Sequence, residues 1–245
     1  MKTSSKLLIG FFTSILVAIS IMMAVARYKT EDTLQGNGIK MVENRPLANF
    51  NAIDLSGDAD IILTQGREFN FEIKGDQNLL SKANSEVNDS VLVIKLPNNR
   101  KHPRFEILVS APAFKSIALS RGVKLKTNNT IQGDVLHLSM HTGSTGDLDI
   151  AVKNFDFVSS TGSTVKLKGK ADIASFKAST GSVVDALDFP IDDCSVDGST
   201  GVQLEINAIK QLGIVLSTGS SLKYKGKPII TNIKNSMGGS VEKLD

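Results

Sequence analysis

Few side chains in this sequence have both the chemistry and the spacing that catalysis or metal binding requires. The three histidines are His102, His137 and His141. The last two are four positions apart, which in a β-strand separates them by about 13 Å, too far to share a metal ion. We therefore predict no zinc site, no catalytic residue and no cofactor.

Four aspartates lie close together in the sequence, at Asp188, Asp192, Asp193 and Asp197. Carboxylate oxygens are ligands for Ca²⁺, so a calcium site is one interpretation. The segment lacks both the D-x-[DN]-x-[DN]-G loop and the glycine–aspartate nonapeptide that bind calcium in other proteins. We favour the second interpretation, a solvated acidic corner of the surface.

The chain has one cysteine, Cys194, so it cannot form an intrachain disulfide. Its neighbours Asp192 and Asp193 would raise the pKa of the thiol and oppose formation of the nucleophilic thiolate. We expect a small, buried and unreactive residue, and a nucleophile is the weaker alternative.

The strongest pattern is a Thr-Gly-Ser motif that recurs through the second half of the chain. Its glycines are 19, 19, 20, 18 and 20 residues apart, and Gly122 marks an earlier copy 21 residues upstream. Hydroxyl groups at fixed spacing can template an ordered ligand, such as a glycan or an ice-like water layer, or they can satisfy one another and the corner backbone. The residues of the motif are Thr142, Gly143, Ser144, Thr161, Gly162, Ser163, Thr180, Gly181, Ser182, Thr200, Gly201, Thr218, Gly219, Ser220, Gly239 and Ser240.

The flanks of each glycine alternate between apolar and polar residues. The fifth position before it is apolar, as at Phe157 and Ile214, and the third and fifth positions after it are apolar, as at Val165 and Leu167. This period of two predicts strands that enter and leave each glycine, which marks a corner with φ > 0. The threonines share the facing of Phe157 and Ile214, so we expect them to point inward and favour the structural role.

Each copy of the motif with its flanking strands forms one short coil of the chain. No stretch between copies can form an amphipathic helix of ten residues, so we predict an all-β chain. A single coil cannot bury its own apolar row, whereas stacked coils bury a continuous core. About 19 residues at about 3.3 Å each, less the corners, form one turn of a parallel β-helix. The sequence therefore predicts a solenoid with rungs of about 18–21 residues.

The first half of the domain lacks the motif but alternates in a similar way. We predict irregular rungs over residues 45–112, which begin the solenoid and cap its open end, and regular rungs over residues 113–245. The expected boundary is Ala111-Pro112-Ala113, and Asn78 to Ala83 are expected to make one helical turn. The alternating runs are Phe50–Leu55, Ala59–Leu63, Phe69–Ile73, Val91–Leu96 and Phe105–Val109.

The N-terminus contains twenty consecutive positions without a charge, Leu7 to Ala26. This is the length that crosses a hydrocarbon core of about 30 Å as a helix, so we predict a transmembrane signal anchor over residues 1–29. Cleavage after Ala26 is the alternative, because Ala24-Val25-Ala26 fits a signal peptidase site. Either way the domain is exported, and residues 30–44 are expected to form a tether.

The charge balance excludes a nucleic-acid partner. Four of the 28 basic residues lie in residues 1–29, which leaves 24 basic against 25 acidic residues in the remainder. Such a near-neutral domain offers no electrostatic footprint for a nucleic acid. Some β-helices degrade polysaccharides with paired carboxylates, but here no Asp or Glu column recurs from rung to rung.

The opening GNGIKMVENRPLANFNAIDLSGDADIILTQG (Gly36 to Gly66), the Asn78–Leu80 segment and the later repeats resemble one family. It is the auto-transporter adhesin head GIN domain family of Bacteroidetes-type envelope proteins. The resemblance implies a right-handed parallel β-helix outside the cytoplasm, over about Val42 to the C-terminus. Family repeats often read S-G-S-G, whereas this chain has threonine in the middle.

From these observations we predict a non-enzymatic protein of a Gram-negative cell envelope that serves as an adhesin or surface-binding module. The expected partners are the membrane, through Leu7 to Ala26, and a glycan or envelope polymer. A periplasmic structural or sensor module and a polysaccharide-degrading enzyme are the alternatives. The last rung, near Asp245, exposes an edge that can pair with a second copy, although no oligomeric state is predicted.

Overall fold

The computed structural model describes residues 34–98 and 104–245, and almost all of their regular structure is β-strand. The predicted signal anchor of residues 1–29 lies outside the described residues. Within them, no helix has the length and apolar character needed to span a membrane. The elements are β1 (Lys40–Asn44), β2 (Ala52–Ser56), β3 (Ala59–Gln65), β4 (Asn70–Asp76), α1 (Gln77–Leu80), β5 (Asn84–Asn88), β6 (Val91–Lys95), β7 (Phe105–Ala111), β8 (Ser116–Ser120), β9 (Lys124–Thr127), β10 (Ile131–His141), β11 (Thr145–Ser160), β12 (Thr164–Ser179), β13 (Val183–Ser199), β14 (Gln203–Ser217), β15 (Ser221–Lys225), β16 (Ile229–Asn235) and β17 (Ser240–Lys243).

The strands stack as a β-solenoid of about seven turns, which confirms the predicted all-β solenoid. Successive rungs pair in parallel, with Thr145 beside Thr164 and Phe157 beside Phe176. Strands β11 to β14 are 15–17 residues long and bend around the corners, so each contributes to more than one face. We call the three faces A (residues 116–120, 137–141, 156–160, 175–179, 195–199 and 213–217), B (124–127, 145–149, 164–168, 183–186, 203–207 and 221–225) and C (131–135, 150–155, 169–174, 190–194 and 208–212).

The core lies inside the three faces and consists of residues that repeat at the rung spacing. Val165 and Leu167 are fully buried, as the alternation predicts. Four phenylalanines fill the centre, with ring centroids 5.7–6.3 Å apart: Phe155, Phe157, Phe176 and Phe189. Edge-to-face and offset contacts of this kind stabilise a core beyond the burial of the rings alone.

The irregular strands expected over residues 45–112 are present, but their order in the chain is not their order in the stack. Strand β2 lies between β6 and β8, and β3 lies between β7 and β9. The first rung of the chain is therefore the second rung of the solenoid. The segment after β7, including the predicted boundary Ala111-Pro112-Ala113, carries the chain past it to β8.

The N-terminal end of the stack is closed by antiparallel elements. Strand β4 pairs antiparallel with β7, β1 with β4, and β5 with β6. Helix α1 lies between β4 and β5 and contributes the buried Leu79 and Leu80, which confirms the expected helical turn. The cap thus ends the parallel ladder with strands of opposite direction.

Part of the expected tether is structured. Residues 40–44 form β1, and the preceding residues contact the buried Asp76, whose carboxylate accepts a hydrogen bond from the Gly38 amide (3.2 Å) and pairs with Lys40 (3.1 Å). A buried carboxylate needs such partners, so these contacts fix the segment on the cap. The prediction of a tether over residues 30–44 is thus wrong from residue 34 onward.

Candidate functional site: a hydroxyl-bearing face and corner

The corner between faces A and B is formed by two consecutive residues in the left-handed conformation. In the five central rungs these are a threonine with φ between 51° and 64° and a glycine with φ between 68° and 71°. The glycines were predicted to adopt positive φ, and this is confirmed. Each glycine amide continues the ladder across the corner, as from Gly143 to the Thr161 carbonyl (3.0 Å).

The corner threonines are exposed, so the expectation that they point inward is wrong. Counting in twos from Phe157 through the buried Ser159 puts Thr161 on the inner side. The alternation holds only for extended backbone, and the threonine is already in the left-handed conformation, so its side chain leaves the inner row. The exposed threonines are Thr142, Thr161, Thr180, Thr200 and Thr218.

Threonine is an unfavourable residue for this conformation. β-Branched side chains with positive φ are outliers, and the position favours Gly, Asn or Asp. The same corner position holds Arg121 in the first regular rung and Met237 in the last. The five rungs between them all use threonine. Backbone strain that recurs at exposed positions points to a function for the side chain.

The serines after the glycines face the core and stabilise the corner. Ser144, Ser163, Ser182 and Ser220 are at most 1% exposed. Each donates a hydrogen bond of 2.7–2.9 Å to the carbonyl three residues earlier, which closes the corner. Val202 replaces the serine in one rung.

The last copy of the motif lies one position away from its expected place. Its left-handed pair is Met237-Gly238, and the Gly219 amide donates to the Met237 carbonyl (3.1 Å). Ser240 pairs with Ser221, the residue after the corner serine. Gly239 and Ser240 were therefore assigned wrongly as corner glycine and corner serine.

A second hydroxyl column lies on face A, beside the threonines, and the sequence analysis missed it. It contains the serine that precedes each threonine, and its members are half-buried. The signal was present as the tripeptide Ser-Thr-Gly, which occurs at four of the five threonine corners. The column, at a rung spacing of about 4.8 Å, consists of Ser56, Ser120, Ser160, Ser179, Ser199 and Ser217, with His141 in one rung.

A shallow groove of about 190 Å³ crosses three rungs of face A. It is lined by Val158, Lys177 and Asp197 on one side and by serines of the column on the other. Lys177 and Asp197 lie side by side in register on β12 and β13. The groove therefore offers hydroxyls, one cation and one carboxylate, which are the groups that hydrogen-bond to sugar hydroxyls.

Faces B and C carry outward Lys–Asp pairs between neighbouring rungs. On face B, Lys166 pairs with Asp185 (3.3 Å). On face C, Lys210 pairs with Asp192 (2.8 Å), and the hydrogen bond and charge of that carboxylate raise the pKa of Lys210. Such exposed pairs contribute little stability, but they leave their groups already occupied. Face A is distinguished by its column of serine hydroxyls, some of which bond within the column or to His141, as Ser120 does to Ser56 (2.8 Å) and Ser160 to His141 (2.7 Å).

Two histidines lie on face A without forming a metal site. His137 contacts the Asp156 carboxylate (2.9 Å), and His141 lies between Ser139 and Ser160, with both contacts at 2.7 Å. A neutral imidazole donates through one nitrogen and accepts through the other, so it links the two hydroxyls into a chain. His102 lies outside the described residues.

The acidic residues near Cys194 do not converge. Asp192 and Asp193 lie on face C, whereas Asp197 lies on face A, and no group of three metal-ligating side chains occurs within residues 34–98 and 104–245. Cys194 is buried as predicted, and burial raises the pKa of its thiol to about 12. Desolvation, rather than the flanking carboxylates, is the cause.

The cap carries a larger cleft of about 360 Å³. Leu47, Phe50 and Phe69 line it, with the two phenylalanine rings 5.4 Å apart in an edge-to-face contact. Arg45 also lines it, but its guanidinium is occupied by Glu43, Ser85 and the carbonyls of residues 80 and 83. The cleft therefore combines apolar side chains with polar ones, among them Asn44 and Asn70.

Known structures share this architecture. A "putative adhesin" from Bacteroides fragilis is 21% identical, with a TM-score of 0.74 over 86% of this chain and 100% of that one. A "putative lipid binding protein" from Parabacteroides distasonis is 17% identical, with a TM-score of 0.72 over 87% and 100%. A "putative adhesin" from Parabacteroides merdae is 18% identical, with a TM-score of 0.67 over 87% and 100%. At these identities the likeness shows the fold.

A comparison with curated proteins finds no match. The sequence of residues 49–228 matches the family described as "Putative auto-transporter adhesin, head GIN domain". This match covers most of the chain and includes the five rungs with corner threonines. The chain therefore belongs to the auto-transporter adhesin head GIN domain family.

Proposed function

We propose that this protein is a non-enzymatic adhesin-type module of the cell envelope, and that face A with its threonine corner binds a glycan or envelope polymer. The observation that carries the proposal is the recurrence of exposed, strained threonines in five successive rungs beside a serine column. Strain of this kind costs stability and persists where the side chain serves binding.

The geometry suits a polymer that lies along the solenoid axis. Hydroxyls recur every rung, about 4.8 Å apart, and each donates and accepts hydrogen bonds. Successive sugars of an extended chain repeat at a similar distance. Each contact to an exposed hydroxyl is weak, so useful affinity arises from many rungs that engage one polymer together.

We further propose that residues 1–29 anchor the domain in a membrane of a Gram-negative envelope, with the solenoid exported and wound in the right-handed sense. The apolar length of Leu7 to Ala26 supports the anchor. The envelope location is supported by the family description and by neighbours from Bacteroides and Parabacteroides. The family and these neighbours are named adhesins or lipid-binding proteins, and none is named as an enzyme.

A binding screen of the full chain against glycans and envelope polymers tests the proposal. Ser179→Tyr with Ser199→Tyr covers the groove with bulk, and Thr145→Tyr with Thr164→Tyr adds the same bulk to face B as the matched control. We expect saturable binding to one polymer class, lost in the face A variant and kept in the control. Folded protein that binds no polymer would favour the periplasmic structural or sensor role.

The cap cleft supports a second candidate function, the binding of an acyl chain. Leu47, Phe50 and Phe69 give the cleft one apolar wall, and one structural neighbour is titled as a lipid-binding protein. Displacement of a fluorescent fatty acid tests this, with Phe69→Ser as the variant that removes one wall. We expect weaker fatty-acid binding in the variant; equal binding would exclude this cleft as the site.

A further inference from the structure

The two ends of the solenoid are built differently. The N-terminal end is covered by the antiparallel strands β1, β4 and β5 and by α1. The other end consists of β16 and β17, which we call the distal edge. Each has a described parallel partner on one side only. Backbone groups on its outer side are a template for pairing with another strand.

Exposed apolar side chains accompany this edge. Ile229 is 72%, Ile233 56% and Met237 80% exposed. Ile233 pairs with Ile214 and Val241 pairs with Leu222, so both continue columns of the core. The distal edge therefore presents the apolar pattern that a further rung would bury.

We propose that the distal edge binds the distal edge of a second copy of this chain, in an antiparallel, two-fold symmetric contact. The residues that the structure does not describe are poor candidates for a strand that covers the distal edge. Strands β6 and β7, which flank residues 99–103 in the sequence, are about eight strand spacings or roughly 38 Å from β17. Residues 1–33 join the cap at Leu34, also at the opposite end, and residues 27–33 read RYKTEDT, which has little apolar surface to offer.

The charges of β17 are compatible with such a pair. If two copies of β17 pair around Val241, Glu242 lies opposite Ser240, and Lys243 lies opposite Gly239 of the second copy. Like charges directly opposite each other would destabilise an antiparallel pair, and this arrangement has none. A self-complementary contact of one edge with itself closes at two copies and does not propagate into a filament.

The contact has a consequence for adhesion, which rests on the anchor proposed above. In the dimer the two capped ends, and with them the two N-termini, lie at opposite poles. Copies anchored in two facing membranes can therefore meet through their distal edges. The partner recognised by the tip of the solenoid is then another copy of the same protein.

Light scattering of the full chain in detergent micelles, over a range of concentrations, tests the dimer. Ile229→Lys with Ile233→Lys places charges on the distal edge, and both residues are exposed in the single molecule, so the fold should persist. Ile173→Lys, at a residue 52% exposed on face C, is the matched control. We expect a concentration-dependent dimer whose dissociation constant rises at least ~tenfold in the edge variant only. A monomer up to about 100 μM, or equal dimerisation of both variants, would overturn the proposal.

Cysteine crosslinking identifies the contacting surface. Cys194 is buried, so a single introduced cysteine reports its own position. We expect a disulfide dimer for Val241→Cys, and none for Lys166→Cys in the middle of the stack or Lys82→Cys at the cap. Crosslinks at the cap alone would contradict the distal contact. Because the edge variant leaves face A intact, its polymer binding should be unchanged, which separates this proposal from the glycan proposal.

Discussion

At the scale of single residues, the corner threonines show a conflict between local preference and observed conformation. Thr180, with φ of 52°, occupies a site that Asn or Gly would fill with less strain. The adjacent Gly181 has no atom within 4 Å of a built Cβ, so backbone conformation and not space determines the residue type there. A protein selected only for stability would place another residue at Thr180.

Replacement of one threonine tests this reading. We expect Thr180→Asn to raise the free energy of unfolding by about 0.5–1 kcal/mol, because Asn tolerates the left-handed region better. Thr164→Asn, in the extended part of β12, is the control and should lose a few tenths of a kcal/mol. Denaturant unfolding measures both. A loss of stability in Thr180→Asn as large as in the control would refute the strain.

The cysteine supplies a second prediction at this scale. A pKa raised from 9.0 to about 12 lowers the thiolate fraction at pH 8 by roughly 1,000-fold. We therefore expect alkylation of Cys194 by iodoacetamide to be far slower in the native protein than in urea. Since the folded pKa is raised, the stability linked to this group is present below pH 9 and is lost as the pH rises towards 12. Equal alkylation rates in native and unfolded protein would show that the thiol is accessible.

At the scale of elements, the repeat predicted the regular half of the fold well. Strand direction, rung length, the corner glycines and the buried residues Val165 and Leu167 follow from a period of two on each side of each glycine. The outward direction of the threonine side chains does not follow from this period, because a period of two applies to extended backbone and the corner residues are not extended. The serine column was not predicted, because its serines precede the corner and continue the strand, where a polar residue is ordinary.

The cap was less predictable because its pairings are non-local. All rungs share one alternation, so the sequence alone does not decide which rung lies beside which. The order β6, β2, β8 depends on the crossover after β7 and on contacts such as the Gln65 side-chain amide, which donates to the Pro112 and Gln132 carbonyls (2.9 and 3.0 Å). Strand β1 is short and mostly exposed, so no buried alternation in the sequence indicates its pairing with β4.

A buried charge tests the rung register. Val165 is fully buried, and its partners in the two neighbouring rungs are Gly146 and Val184. We expect Val165→Asp to lower the free energy of unfolding by at least ~3 kcal/mol, because it buries a carboxylate without a partner. Thr164→Asp, one position away and exposed, should change it by less than about 1 kcal/mol. Equal thermal midpoints for the two variants would contradict the register.

At the scale of the whole molecule, the three faces divide their tasks. Faces B and C carry Lys–Asp pairs between rungs, such as Lys166 with Asp185, and face A carries a column of serine hydroxyls along most of the solenoid. One end is closed by antiparallel strands, and at the other β16 and β17 each have a described partner on one side only. This arrangement suits a rod that is held at the cap and presents a long, repetitive surface along its side.

The most direct test of the account is the affinity of the selected polymer as a function of its length. The five threonine rungs span four spacings, about 19 Å. We predict that affinity, measured by calorimetry with oligosaccharides of increasing length, rises until the ligand covers this span and then levels off. An affinity that is the same for one sugar as for a long chain would contradict the account, because it would place binding in a single pocket and not along the repeating face.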